Sequence, residues 1–271
     1  MRYSLTTFLL ALLAASGPAL AASSSWVSTE GGKLRLVALR ASPDGIIRGF
    51  LEIVPDDGWH TYWKVPGSGG IPPQIMVKPG GNADLVATDF PPPRVFESGN
   101  LRDFGYDAGV RLPLTFRQPK LHESSTIAAD IFVGLCAKIC VPFQTSLSLR
   151  LDDGDTATPA ETALVKAALA SLPEGESTDF KITETQPAAD GKSVNVSILL
   201  PPGSDAASAI VIASTADGEA LAKPSLVSSS GQTAIFSLTG IGSQSLVLKG
   251  KTIDILVQAA GRAMETTVKI P

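Results

Sequence analysis

Cysteine and histidine are the scarcest reactive residues in this sequence, with two of each among 271 residues. A structural zinc site needs four such ligands to converge. Here His60 and His122 are scattered, which makes a weak case for zinc. Two cysteines are also too few for a fold held together by disulfides. Aromatic residues make up only 6% of the chain, which leaves Val, Ile, Leu and Ala to build the cores. Runs of Lys or Arg are absent and the net charge is −4, which excludes the basic footprint of a nucleic-acid binder. Past the first residues, no apolar run reaches the ~20 residues of a membrane span. Neither a phosphate-binding glycine loop, a dinucleotide fingerprint nor a Ser-His-Asp arrangement is present, so a hydrolase is disfavoured and no cofactor is expected.

The N-terminus carries Arg2, the apolar stretch Phe8 to Ala15, a Gly17-Pro18 break and the small triplet Ala19-Leu20-Ala21. That order predicts a secretory signal peptide over 1–21, cleaved after Ala21, and hence export to the periplasm. The apolar core is short for a membrane span, and an uncleaved anchor is the alternative reading. Cleavage removes Arg2 alone, taking Lys+Arg from 22 to 21 against 26 Asp+Glu, and the net charge from −4 to −5. The mature chain is expected to have no membrane insertion.

Short strand-like segments separated by turn residues run from Trp26 to Leu151 and again from Val194 to Ile270. Leu34–Leu39 and Ile46–Ile53 flank the turn Ser42-Pro43-Asp44-Gly45. Gly58 to Lys64 alternates, with Trp59, Thr61 and Trp63 on one face and His60 and Tyr62 on the other. Trp59 and Trp63 are expected to pack in a core. Pro66 to Pro73 reads as loop, and Pro113 predicts an edge or bulged strand. Leu246-Val247-Leu248 is expected to be one of the later strands. Thr158-Pro159-Ala160-Glu161 predicts a capped helix over 159–172, with an apolar face at Leu164, Val165, Ala168, Leu169 and Leu172. The reading is all-β: two immunoglobulin-like β-sandwich domains joined by a short helix. The domains are expected at 22–152 and 177–271, with 153–176 as linker.

Cys136-Ala137-Lys138-Ile139-Cys140 carries the chemistry. Residues four apart on one extended strand are about 13 Å apart, too far for a disulfide. β-branched flanks and Pro142 argue against a helix. A hairpin with Ala137-Lys138-Ile139 at its tip brings the sulfurs face to face at the end of a sandwich. Closing so small a loop constrains the unfolded chain by only about 2 kcal/mol, a poor return for a structural staple. Such a pair can open and close without unfolding its domain, which favours disulfide exchange, and Lys138 between the sulfurs would favour a thiolate. A passive staple and a copper(I) site remain as alternatives. Sco-type copper carriers hold C-x-x-x-C-P on a thioredoxin-like fold, whereas here Val141 intervenes before Pro142 and a strand pattern follows.

Gly58-Trp59-His60-Thr61-Tyr62-Trp63, the loop Gly67 to Pro73, Gly105-Tyr106 with Leu112-Pro113-Leu114, and Cys136-x-x-x-Cys140-Val141-Pro142 together resemble a known family. They are similar to the N-terminal periplasmic domain of DsbD-type thiol:disulfide interchange proteins, in particular the ScsB branch. The resemblance spans Trp26 to Leu151. It implies an immunoglobulin-like domain that passes reducing equivalents to periplasmic thioredoxin-fold proteins, with Cys136 and Cys140 as the redox pair. Cys140 would be the sulfur that forms mixed disulfides. His60 and Tyr62 match positions that line the site in that family, and a cap loop is expected near Arg94 to Phe104, with Phe96 as its ring. Family members continue into a membrane electron-transfer domain. This chain ends at Pro271, so a separate membrane electron-transfer protein is the expected source of electrons, with reverse flow or a purely binding role as alternatives.

Overall fold

The structure is a computed structural model that describes residues 23–99, 101–152, 158–241 and 247–271. The expected signal segment, Met1–Ala21, lies outside the described residues. Eleven strands precede the helix among the described residues: β1 (Val27–Thr29), β2 (Gly32–Ala38), β3 (Ile46–Pro55), β4 (His60–Gly67), β5 (Gln74–Val77), β6 (Asp84–Thr88), β7 (Arg94–Ser98), β8 (Leu101–Tyr106), β9 (Val110–Arg117), β10 (Ser125–Cys136) and β11 (Cys140–Leu151). They form one sheet in the order β1-β2-β3-β9-β6 and a second in the order β11-β10-β4-β8-β7, with β5 on β10. Leu34, Leu51, Leu112 and Phe116 of the first sheet meet Trp63, Phe104, Ile131 and Val133 of the second in one buried core. Along β10 the inward residues alternate from Ile127 to Leu135, the period of a half-buried strand.

Pro113 is not on an edge strand, as its missing N–H suggests it should be. β9 lies between β3 and β6, and Pro113 pairs with Phe50 on the β3 side. On the other side the β6 register ends at Thr88 with Leu114, one residue short of Pro113. The Pro113 carbonyl accepts from Asp89 N–H on that side. The missing donor therefore points past the end of β6, and the strand is central while the proline is locally at an edge.

The helix α1 (Pro159–Ala170) opens with the predicted capping box. Glu161 N–H donates to the Thr158 hydroxyl at 3.2 Å, and the Glu161 carboxylate accepts from Thr158 N–H at 2.9 Å. It ends two residues before the expected Leu172, because the Ser171 hydroxyl turns back to the Ala168 carbonyl at 2.7 Å and caps the last turn. Val165 and Ala168 pack on Val37 and Phe50, the outer face of β2 and β3. That cover explains why Phe50 and Leu51 are both fully buried although they point to opposite faces.

Seven more strands follow among the described residues: β12 (Lys181–Pro187), β13 (Ser193–Leu199), β14 (Ile210–Thr215), β15 (Ser225–Ser230), β16 (Thr233–Thr239), β17 (Thr252–Ala259) and β18 (Arg262–Lys269). They make a second sandwich from sheets ordered β12-β13-β16-β15 and β14-β17-β18. Val194, Val196 and Ile198 face Val211, Ile253, Ile255 and Val257 in its core. The strand expected at Leu246-Val247-Leu248 is not one: Val247 and Leu248 are irregular, and Leu246 lies outside the described residues. Leu248 is apolar because it plugs the second core, fully buried, not because it belongs to a ladder.

The sandwiches touch. β14 and β17 send Val211 and Ile255 inward, while the alternating residues Ile212 and Leu256 enter the core of the first sandwich. Lys64 pairs with Glu265, and Gln258 Nε2 donates to the Pro93 carbonyl at 2.9 Å.

Candidate active site at the cysteine hairpin

β10 and β11 stay in register from Ser125–Leu151 to Cys136–Cys140. At the tip Ala137 N–H donates to the Ile139 carbonyl at 3.1 Å, closing a three-residue turn. Cys136 and Cys140 therefore stand directly opposite, with Cα atoms 4.1 Å apart, and are disulfide-bonded. On its other side Cys136 pairs with His60 of β4, and Leu135 with Thr61. His60, Cys136 and Cys140 thus form one row across the sheet. Leu135 points into the core, so this row lies on the outer face.

The two sulfurs live in different surroundings. Cys136 is 1% exposed, whereas Cys140 is exposed, as are Lys138 and the 67% exposed Ile139 at the tip. Tyr62 covers the inner sulfur. Its hydroxyl donates to Cys136 Sγ at 2.8 Å and stands 3.1 Å from Cys140 Sγ. Burial, helped by the charge of Asp103, pushes the Tyr62 phenol up to about 12, so it remains a donor well into the alkaline range.

His60 sits behind Tyr62. Its ring meets Tyr62 edge-on at 5.2 Å and stacks on Phe96 at 4.7 Å between centroids. Burial holds the imidazole below its ordinary value, partly opposed by Asp103 and Asp107. Its Nε2 is buried and has no hydrogen-bond partner among the described residues. Phe96 belongs to β7, and β7 and β8 pair as a hairpin from Arg94–Gly105 to Ser98–Leu101. The segment expected as a cap loop is therefore a β-hairpin. Its ring touches His60, and Tyr62 is what touches the sulfurs. Trp63 is core, as expected, and Trp59 packs against that core half-buried.

Two glycines that sequence reasoning passed over make this arrangement possible. A Cβ on Gly70 would lie 2.3 Å from the Tyr62 ring, and one on Gly134 would lie 3.1 Å from it and 2.7 Å from Ile71. The ring is held in a slot between two bare backbones. Gly134 interrupts the apolar run Ile131 to Leu135, and a glycine inside a strand is a sign of close approach. Asp103 fixes the loop that carries Gly70 by accepting from the N–H groups of Ser68 at 2.9 Å and Gly69 at 3.3 Å. Gly70→Ala is expected to overpack the slot and lower stability by about 1–3 kcal/mol in urea unfolding. Gly69→Ala, which has nothing within 4 Å, is expected to change it by less than about 0.5 kcal/mol.

His122 lies in a turn, with φ of 60°. Among the described residues no group of three or more His, Cys, Asp or Glu converges to hold a metal.

Residues 36–152 match the family described as thiol:disulfide interchange protein DsbD, N-terminal. Residues 36–152 are a DsbD-type N-terminal domain. The structure is similar to the crystal structure of the N-terminal periplasmic domain of ScsB from Proteus mirabilis, with a TM-score of 0.75. That likeness covers 92% of this chain and 98% of the ScsB chain at 20% identity, so both sandwiches share its architecture. A marsupial T cell receptor also aligns, at a TM-score of 0.22 and 8% identity over 91% of this chain and 62% of that one. No curated protein matches by sequence. Among the described residues no helix is long and apolar enough to cross a membrane. In the DsbD-type domain, then, the disulfide is presented at the open end of the second sheet, with aromatic rings on one side of it and solvent on the other.

Proposed function

We propose that this chain is an exported thiol:disulfide interchange protein that passes reducing equivalents to periplasmic thioredoxin-fold proteins through Cys136 and Cys140. Export is argued from the signal-like order of Met1–Ala21, and the periplasm also from the ScsB domain, which is periplasmic. In this reading residues 22–152 carry the exchange, 153–176 link, and 177–271 form the second domain. The observation that carries it is the asymmetry of the pair, one sulfur sealed under Tyr62 and the other exposed.

In the reduced domain the Cys140 thiolate attacks a partner disulfide. One Sγ–Sγ bond forms between the proteins while the partner's own bond breaks, and the partner's leaving thiolate takes up a proton. Cys136, deprotonated, then attacks Cys140 Sγ, restores the Cys136–Cys140 bond and releases the second partner thiol. Two electrons leave the domain and the partner disulfide becomes a dithiol. Tyr62 serves this cycle as the donor that stabilises a thiolate at the pair. His60 and Phe96 wall the site, and Lys138 at the tip adds positive charge beside the attacking sulfur. A separate membrane electron-transfer protein would return the two electrons.

Equilibration with glutathione buffers tests the reading. A carrier is expected to show a reduction potential between about −100 and −270 mV, in the range of exchanging dithiols. A value below about −300 mV would mark a stable staple and end the proposal.

A further inference from the structure

Successive residues of a strand turn their main-chain N–H and C=O groups to opposite sides, and the tip of the β10–β11 hairpin fixes which side Cys140 uses. Ala137 N–H donates to the Ile139 carbonyl at 3.1 Å, so these two residues face each other at a hydrogen-bonded position. Cys136 and Cys140, the next pair, are therefore a non-hydrogen-bonded one, in keeping with Cα atoms only 4.1 Å apart. The same parity holds two rungs further along. Pro142 has no N–H to give Gly134, and the Gly134 carbonyl turns to β4, where the Thr61 hydroxyl donates to it at 2.9 Å. Cys136 likewise turns its main-chain groups to His60 of β4. Those of Cys140 face the other way, out of the sheet, because β11 is its edge strand. Among the described residues neither the N–H nor the C=O of Cys140 has a hydrogen-bond partner.

That open edge is also the side from which exchange has to come. The S–S bond runs across the ladder from β10 to β11, and a thiolate attacks Cys140 Sγ along the line of the bond it breaks. The incoming sulfur approaches from beyond β11, and the chain that carries it lies over the outward N–H and C=O of Cys140. Covering those two groups without pairing them would strip them of water at the cost of a lost hydrogen bond each. Pairing them removes that cost. A hydrogen-bonded antiparallel rung sets facing Cα atoms about 5.5 Å apart, inside the window a disulfide needs. Two residues on, Pro142 offers a carbonyl but no N–H, so no regular ladder can run on down the edge, which blunts it against strand-to-strand aggregation. One complete rung is left beside the exposed sulfur.

We propose that the main chain of Cys140 is the docking rung for the exchange partner: an extended partner segment, at its reactive sulfur, donates to the Cys140 C=O and accepts from the Cys140 N–H. This rests on the exchange reading and says what kind of partner fits it, a protein whose reactive sulfur lies on or beside an extended stretch with free main-chain groups. Small thiols reach the sulfur without making the rung.

The test uses the full mature chain with Cys136→Ser, which leaves Cys140 as its one thiol. Two conjugates are made from thiols activated as thionitrobenzoate disulfides, one with a thioredoxin that keeps a single active-site cysteine and one with 2-mercaptoethanol. In each, the Cys140 thiol gives its proton to the buffer, a new S–S bond forms at Cys140 Sγ, and thionitrobenzoate leaves as a thiolate. Amide exchange is then followed residue by residue by NMR at fixed pH. Cys140 N–H is expected to exchange about 3- to 10-fold more slowly in the thioredoxin conjugate than in the other, the hold of one hydrogen bond. A coupling through the hydrogen bond, from Cys140 N to a thioredoxin carbonyl carbon, is expected with it. Gln144 and Ser146, past the gap at Pro142, are expected to differ by less than about 1.5-fold between conjugates. Equal exchange of Cys140 N–H in both conjugates, or slowing without the coupling, would overturn the proposal. The activated thiols impose both conjugates whether or not the chain is a carrier. The reduction potential therefore decides the exchange reading and the Cys140 amide decides the rung, and either can fail alone.

Discussion

Cys136→Ser is expected to accumulate a stable covalent complex with an oxidised thioredoxin-fold partner, and Cys140→Ser is expected to form none. The difference follows from where the two sulfurs sit. With Cys136 gone, the exposed Cys140 still attacks, and the mixed disulfide has no second thiol within the domain to break it. With Cys140 gone, the remaining sulfur is 1% exposed beneath the Tyr62 hydroxyl and no partner sulfur can reach it in line. Non-reducing electrophoresis after mixing, with a reducing lane as control, reads the result. Equal trapping by both variants would mean that the site opens far enough to expose either sulfur, and the division of labour between them would fall. No complex with either variant would remove the exchange mechanism itself.

Tyr62→Phe is the second substitution with a large expected effect. The phenol keeps its proton to about 12, so in the reduced domain it can donate to a thiolate at any neutral pH. A hydrogen bond to a charged group contributes about 1.5–3 kcal/mol, and 1.36 kcal/mol corresponds to one pKa unit. Loss of the hydroxyl is therefore expected to raise the thiolate titration of the pair by about 1–2 units, read as thiolate absorbance against pH. Less thiolate is present at pH 7, but each thiolate is more nucleophilic as its pKa rises. With a Brønsted slope of about 0.4–0.5, the net loss in exchange rate is about 3- to 10-fold. The ring stays in its slot between Gly70 and Gly134, so the fold should be little changed. An unmoved titration would show that the tyrosine only fills space.

Much of this site is legible from residue order, because its geometry is local. A three-residue turn between two cysteines, bounded by alternating apolar residues, can close only as a hairpin, and the strand at Gly58 to Lys64 separates Tyr62 from Trp63 by simple alternation. What the residues do not announce depends on neighbours distant in the chain. Glu97-Ser98 looks like plain loop, yet both residues belong to β7, which becomes a sheet edge only when β8 meets β4. β15 is serine-rich and exposed along its whole length, so no apolar period marks it, and it exists through its ladder with β16. Leu248 has the composition of a strand residue because it fills a core from a loop. Pro113 misleads in the opposite sense, since whether its missing donor matters depends on where a different strand stops. Nothing in the order of residues ties Glu97 to Lys223, 126 positions apart.

The cysteine pair closes a ladder of twelve register pairs that continues without it to Leu151. Opening the S–S bond therefore removes one rung from a frame the other eleven still define, and the oxidised and reduced domains are expected to present nearly the same contour. A partner can favour one of two states only to the extent that it binds them differently. Docking energy then offers little to push the traffic either way. In the proposed exchange the course of electrons would then fall to the relative potentials and amounts of the two couples, and the domain would act as a reversible conduit with no built-in ratchet.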